Sequence, residues 1–449
     1  DFFEPIPGVQ FGLDETFASK QRTEEYLNNV YSYVREVTDA IHPNTYGGIF
    51  TEASLDGANR WNKTYAEWTN GSFNSASAQA SEYFSKYYQA IAKASTFIQN
   101  VDKCTEAAAS TRGKWKSEAR ALRAYYYFEL LRLYGPIPLI GEDPIPLDAS
   151  LEELIKERNS VDECVNFIAT ELQSAIDSGD LLQRAGKANL GRMDVATCMA
   201  LKAKLYLYWA SPLFNGNTDQ ASVKNKDGKQ LFPQTEDHSK WTQTRDAYER
   251  FMTFATGQGY KLTEVYTNGK LDPYASCRAA GEFFTTTWEA VDELIFVKLR
   301  DLYDYTYWVC PKFTDFQDTD VTGGGGYYTT QETVDLFFTK DGLTIEEDPG
   351  YDKFEGIPGA NNFTSGRYYD PNNPSRLYFD ADKSKVLKQW KDREPRFYVN
   401  ITYSGSIWLN EGKYNEEMRT DFTNGANGTC GKSKASGDCP DSGYLIRRG

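Results

Sequence analysis

Apolar residues recur at helical spacing through the first half of the chain. Leu27, Val30, Tyr31, Val34 and Val37 follow an i, i+3, i+4, i+7 rule, which predicts a helix over 22–37. Phe84, Tyr87, Ile91, Ala94, Ile98 and Val101 step by three and four, which predicts a long amphipathic helix over 82–101. Between Lys114 and Tyr134 two stripes run side by side. Trp115, Ala119, Leu122, Tyr126, Leu130 and Leu133 form one, and Ala121, Ala124, Tyr125, Phe128 and Leu131 the other. A helix apolar on two faces is buried on both, so 114–134 is expected among the most buried elements. Gly135-Pro136 ends it, and Pro138, Pro144 and Pro146 then predict an extended crossing.

Three more helices follow, over 161–178, 194–210 and 241–257, the last after an insertion at about 213–240. Ala196, Ala200, Ala203, Leu207 and Ala210 form a small-residue stripe that lets a neighbouring helix come close. Val161 and Asp194 are separated by nearly the period of a tetratricopeptide helix pair. Beyond residue 260 the pattern breaks into short apolar runs among Gly, Thr, Tyr and Asp. Leu294 to Val297, Phe397 to Tyr403 and Ser406 to Leu409 read as strands, and Thr329 to Phe338 as a short helix capped by Thr329 or Thr330. The expected fold is mainly α. A tetratricopeptide-type helical scaffold over 15–260 carries long loop-rich insertions, and 261–449 is a loop-rich region holding the few short strands.

Composition narrows the function. The chain has 449 residues with 49 basic and 64 acidic side chains, a net charge of −15. That argues against nucleic acid and against an anionic membrane surface, which both need a cationic footprint. No stretch approaches the roughly 18 apolar residues of a membrane helix. His42 and His238 stand apart, so neither a His-based metal site nor a metal or other cofactor is expected. Cys104, Cys164 and Cys198 lie inside apolar helical patterns and read as buried, while Cys430 and Cys439 flank a loop as a candidate bridge. The start, Asp1-Phe2-Phe3-Glu4-Pro5, is neither a signal peptide nor an initiator methionine and reads as a processed form.

Nine Trp, 31 Tyr and 26 Phe make aromatics 15% of the chain. Tyr and Trp offer flat contact faces with a polar tip, which suits sugars as well as cores. Two segments concentrate them. DGANRWNKTYAEWTNGSFN, from Asp56 to Asn74, interleaves Trp61, Tyr65 and Trp68 with Asp56, Asn59 and Arg60 and has no continuous apolar stripe. DLYDYTYWVCPKFTDF, from Asp301 to Phe316, places Tyr303, Tyr305 and Tyr307 on one strand face and Trp308 on the other. Rings among planar amides and a guanidinium are what a sugar or peptide site needs. Gly323 to Gly326 lacks the Lys-Ser/Thr of a phosphate loop and reads as a turning loop beside Tyr327 and Tyr328. No nucleophilic constellation stands out, and no pair of carboxylates is singled out.

RALRAYYYFELLRLYGPIPL at Arg120 to Leu139 resembles the signature helix of the SusD/RagB family, surface nutrient-binding lipoproteins of Bacteroidetes. In order along the chain, the initial DFFEP, Trp68 to Ser72, Tyr87 to Ile91, ALKAKLYLYWASPLFNG at Ala200 to Gly216, GYYTTQETVDLFFTKDG at Gly326 to Gly342, REPRF at Arg393 to Phe397 and SGYLIR at Ser442 to Arg447 fit further landmarks. The resemblance covers nearly all of 1–449 as a single SusD-like domain. It implies a non-catalytic protein held at the outer-membrane surface only by a lipid on a Cys preceding Asp1. Such a protein captures oligosaccharide and hands it to a SusC-type TonB-dependent barrel. It also implies further helices beyond Gly449. A peptide-binding lid of the RagB type and a secreted all-helical glycoside hydrolase or lyase are the alternatives. For the ligand site the expectation is Trp61, Trp68 and Trp308 as leading platforms, with Tyr65, Tyr305 and Tyr327 next. Asp56, Asn59 and Arg367 are expected to bond ligand hydroxyls.

Overall fold

A computed structural model describes residues 12–34, 54, 57–59, 71–143, 145, 149–282, 292–298, 309–311, 325–354, 356–410, 416–419, 440 and 442–447. The chain divides into two compact units. The first comprises 1–34, 74–261 and 294–299, and the second 35–73, 262–293 and 300–449. The fold is mainly α, as the periodicity predicts. Among the described residues no helix is long and apolar enough to cross a membrane.

The first unit contains α1 (Leu13–Ala18), α2 (Lys20–Tyr31), α3 (Ala78–Asn100), α4 (Ala109–Tyr134), α5 (Leu151–Leu154), α6 (Val161–Asp177), α7 (Val195–Ala210) and α8 (Ser239–Gly257). From α3 each long helix packs on the next, α3 on α4, α4 on α6, α6 on α7 and α7 on α8. The starts are set by local chemistry. Ser160 and Glu163 form a reciprocal capping box at α6, and the Asp194 carboxylate accepts the Thr197 amide at 2.7 Å to cap α7. Gly135 ends α4 with φ +67°, where a Cβ would also press against the Phe232 ring at 3.0 Å.

The two-faced apolar pattern of α4 has its expected consequence, with almost every residue from Trp115 to Leu131 buried. The centre of this helix is charged, however. Arg123 is fully buried, and its Nε donates to Glu171 Oε2 on α6 at 2.9 Å while Nη1 donates to Ser95 Oγ on α3 at 3.0 Å. Arg120 reaches the other Glu171 oxygen at 2.9 Å. The Arg123 guanidinium thus ties three helices together. Farther along, Asp162 accepts from Trp209 Nε1 at 2.6 Å and from Lys240 Nζ at 2.9 Å, joining α6 to α7 and α8.

The second unit contains β1 (Ala58–Asn59), β2 (Tyr266–Thr267), β3 (Lys270–Leu271), α9 (Pro273–Glu282), β4 (Tyr327–Tyr328), α10 (Gln331–Asp335), β5 (Arg367–Asp370), β6 (Asn373–Asp380), α11 (Pro395–Asn400), β7 (Ile401–Tyr403), β8 (Ile407–Asn410), β9 (Glu416–Arg419) and β10 (Tyr444–Ile446). A four-stranded antiparallel sheet runs in the order β1-β4-β10-β7, and β5 with β6 and β8 with β9 form separate ladders. Its core is aromatic: Tyr378 stacks on Tyr398 at 3.9 Å and 9°, and Phe397 on Tyr403 at 5.2 Å and 19°. The turn between β7 and β8 requires Gly405. Its φ is +91°, and a Cβ there would lie 2.3 Å from Val386 Cγ2.

Four expectations need correction. The helix expected over 22–37 ends at Tyr31, because the amides of Tyr33 and Val34 bond back three residues and Lys298 Nζ takes the Val34 carbonyl at 2.6 Å; residues 35–37 lie outside the described residues. Leu294 to Val297 is not a strand. Its polar groups and rings are satisfied on the helices, where Thr197 Oγ1 donates to Ile295 O at 3.3 Å and Phe296 meets Tyr125 edge-on at 6.4 Å. Phe397 to Asn400 belongs to a helix started by Pro395 at its first position, so only Ile401–Tyr403 is strand. Strand also occurs before residue 260, since β1 pairs with β4. The burial of Cys104, Cys164 and Cys198 is as expected, and the Cys430–Cys439 pair lies outside the described residues.

The buried Arg123–Glu171 pair makes a stability prediction. Glu171→Ala leaves a guanidinium in the core without its carboxylate and is expected to cost about 3–5 kcal/mol. An Arg123→Met/Glu171→Leu double variant is expected to recover most of that loss. Urea denaturation of the parent chain and the two variants checks both statements, and a double variant no more stable than Glu171→Ala would refute the second.

Candidate functional site

The second unit contains a cavity of about 100 Å³ whose walls come from α9, β6, α11, β7, the β7–β8 turn and the residue after β10. Tyr274 and Arg278 are four residues apart on α9 and so share a helix face. Arg376 and Tyr378 are two apart on β6 and share a strand face. Tyr398 and Tyr403 bring the aromatic core to the wall, and Arg447 enters from β10, its amide bonded to the Asn400 carbonyl at 2.6 Å.

Arg376 is held by several partners. Its guanidinium makes a two-pronged pair with Asp272, Nη1 to Oδ1 at 2.9 Å and Nη2 to Oδ2 at 3.0 Å, and Nη1 also meets Asp370 Oδ2 at 2.6 Å. It lies 4.3 Å from the centre of the Tyr274 ring, a cation–π contact. Asp272 also accepts the Ala275 amide at 2.9 Å and so caps α9, the helix that carries Tyr274 and Arg278. The hydrogen bond from Arg376 is the main reason that the Asp272 carboxyl is held down at about 2. Burial pulls the Arg447 guanidinium below its ordinary value, and neighbouring Arg278 acts in the same direction. The cavity is therefore lined by guanidinium groups, hydroxyls and ring faces. Among the described residues no group of three His, Cys, Asp or Glu is placed to hold a metal ion.

The expected ligand residues stand elsewhere. Trp61, Trp68, Trp308, Tyr65, Tyr305 and Asp56 lie outside the described residues. Asn59 and Tyr327 are register partners across β1 and β4, so the backbones of these two candidate residues meet in one sheet. Arg367 opens β5, where its Nε donates to buried Asp380 at 3.1 Å, and its hydrogen bonds to Tyr369 and Asp380 raise its pKa. It does not line the cavity. Sequence reasoning missed Tyr274, Arg278, Arg376 and Arg447. Only Arg447 sat in a quoted motif, and nothing in the local pattern connects the other three to it.

A family model described as starch-binding and associating with the outer membrane matches residues 10–207, and one described as the SusD family matches 293–449. A SusD-like protein of Bacteroides ovatus is 27% identical over 175 residues, a match spanning 37% of this chain and 30% of that protein's length. The solved structure of BT4246 superposes with a TM-score of 0.75 at 23% identity, covering 96% of this chain and 72% of the other. A SusD-like protein from Bacteroides fragilis gives 0.66 at 19% identity, covering 98% and 71%. A SusD-like carbohydrate-binding protein from the same species gives 0.61 at 17%, covering 96% and 68%. At these identities the structures establish the shared fold.

The carboxylate that holds Arg376 predicts an acid dependence. A carboxyl whose folded value is depressed contributes stability that is fully present above its ordinary value of 3.8 and lost as pH falls through about 2. Asp272 is thus expected to contribute on the order of 2 kcal/mol near neutrality, disappearing between about pH 4 and pH 2. Asp272→Asn is expected to lower stability at pH 6 and to flatten the decline below pH 4. Denaturation midpoints from pH 6 to pH 2 measure this, and parallel profiles for the two proteins would contradict it.

Proposed function

Because this chain belongs to the SusD/RagB family, we propose that it is a non-catalytic protein that binds glycan at the outer-membrane surface and passes it to a SusC-type TonB-dependent barrel. The observation that carries this reading is the pair of family matches at 10–207 and 293–449, one described as starch-binding and associating with the outer membrane. The fold supports it, since BT4246 superposes on nearly the whole chain, with a TM-score of 0.75. The chemistry of the chain agrees: an acidic surface repels nucleic acid and anionic lipid, and an aromatic-rich chain supplies flat faces for sugar rings. Retention at the membrane then rests on a lipid anchor and on the barrel, because no helix among the described residues crosses a bilayer.

Within this reading Trp61, Trp68 and Trp308 form the stacking platforms, supported by Tyr65, Tyr305 and Tyr327, and Asp56, Asn59 and Arg367 bond sugar hydroxyls. The meeting of Asn59 and Tyr327 in one strand pair supports placing these two candidate residues in a common site.

The test is a glycan array probed with the soluble chain, followed by titration of the best ligand. Trp61→Ala, Trp68→Ala and Trp308→Ala are each expected to weaken binding by about 1–3 kcal/mol, by analogy with base–aromatic stacking, with the melting temperature unchanged. A core tryptophan would instead lose about 3–5 kcal/mol of stability. Early melting of all three variants would remove these rings from the site. Appearance of shortened glycan on incubation would replace binding by hydrolysis as the function.

A further inference from the structure

A glycine after an asparagine leaves the next amide nitrogen unshielded beside the asparagine side chain. The sequence places Asn before Gly at Asn70, Asn215, Asn268, Asn424 and Asn427, and both residues are described for Asn215-Gly216 and Asn268-Gly269. These two pairs stand in opposite surroundings. Asn215 is buried, and its Nδ2 donates to the Asp237 carbonyl at 3.0 Å while its Oδ1 accepts the Asp237 amide at 2.9 Å. A Cβ on Gly216 would lie 2.7 Å from the Glu236 nitrogen, so a ring closing there would have to displace backbone. Asn268 and Gly269 are exposed at the tip of the β2–β3 hairpin, and a Cβ on Gly269 would meet nothing within 4 Å.

We propose that Asn268 is a spontaneous modification site, deamidated through a succinimide, and that its conversion loosens the start of α9. The Gly269 nitrogen attacks Asn268 Cγ. The new N–Cγ bond closes an imide ring, the Cγ–Nδ2 bond breaks, and the Gly269 proton leaves with Nδ2 as ammonia. Water then adds to either imide carbonyl. Opening at Cγ gives aspartate, and opening at the main-chain carbonyl carbon gives isoaspartate, whose backbone runs through Cβ and Cγ. The net reaction turns an amide and water into a carboxylic acid and ammonia.

Local stability favours attack at this position. The hairpin pairs Tyr266 with Leu271 and Thr267 with Lys270, and so short a hairpin opens readily. Asn268 and Gly269 have φ of +53° and +76°, and in such a two-residue turn the central amides stand outside the ladder bonds. The consequence follows from what the hairpin holds. Thr267 Oγ1 donates to Asp272 Oδ2 at 2.9 Å, the Asp272 amide to the Val265 carbonyl at 2.9 Å, and the Val265 amide to Ser276 Oγ at 2.9 Å. Asp272 in turn accepts the Ala275 amide at the start of α9 and pairs with Arg376. An isoaspartyl link adds one backbone carbon to a turn without spare length. It thereby breaks the Thr267–Lys270 pair and withdraws Thr267 from Asp272.

Ageing the full chain in mildly alkaline buffer, followed by peptide mass spectrometry and enzymatic methylation of isoaspartyl carboxyls, tests the proposal. In the folded chain Asn268 is expected to convert about tenfold or more faster than Asn215, with isoaspartate among the products. In urea, where neither pair is held, the two rates are expected to converge. Exchange of the Ala275 and Ser276 amides is expected to quicken about tenfold in the aged chain. Aged Asn268→Gln keeps the other Asn-Gly pairs but has a side chain too long to close the same ring, and its exchange there is expected to stay unchanged. Conversion at Asn268 no faster than at Asn215 in the folded chain would overturn the site. Unchanged exchange at α9 in a chain carrying the isoaspartyl link would overturn its structural consequence.

Discussion

Burying a tyrosine takes a phenol hydroxyl away from water, and leaving it unmatched costs about 1–3 kcal/mol. Much of this fold follows from meeting that constraint. The Tyr126 hydroxyl reaches the Val30 carbonyl and so fastens α2 to α4. Tyr127 donates to the Ile140 carbonyl at 2.9 Å and accepts its amide at 3.0 Å, and Tyr88 donates to Pro138 O at 2.6 Å. Together they pin the proline-rich crossing against the helices it leaves. In the second unit Tyr398 donates to the Trp390 carbonyl at 2.9 Å while accepting the Arg393 amide at 3.2 Å. Tyr444 donates to Gln331 at 2.8 Å and accepts from Trp390 Nε1 at 3.0 Å. Each ring therefore contributes apolar area to the core and at least one directional bond beyond its own element.

Buried arginines extend the same logic to charge. Arg123 gathers α3, α4 and α6 around Glu171. Arg393 is buried as well, and its Nη2 donates to the Phe337 carbonyl at 2.8 Å and to that of Val334, satisfying the C-terminal end of α10. Arg376 anchors β6 to Asp272 at the start of α9. In all three cases a planar guanidinium makes several bonds at once, which a lysine cannot do from one point charge.

The residues that carry the family resemblance are mostly these scaffold residues. RALRAYYYFELLRLYGPIPL contains Arg120, Arg123, Tyr126 and Tyr127, and REPRF contains Arg393 and Phe397, all engaged in the contacts above. Such a motif identifies the fold strongly and says little about the ligand, because its side chains face inward. Ligand choice is left to segments whose sequence the scaffold does not constrain.

The amino-acid sequence by itself determined the helices. Period 3.6 patterning placed α3, α4, α6, α7 and α8 within a few residues of their observed bounds, because a helix buries a face defined by local spacing alone. It also determined the burial of Cys104, Cys164 and Cys198. Tertiary structure decided the rest. Ala58–Asn59 becomes a strand only because Tyr327–Tyr328 lies beside it, and Leu294 to Val297 fails to become one because helix surfaces satisfy it first. The cavity is the extreme case. Tyr274, Arg376, Tyr398 and Arg447 come from four separate elements, and no local period records that they will meet. Sequence pattern encodes which face of an element is buried; which faces are brought together is settled only when the elements pack.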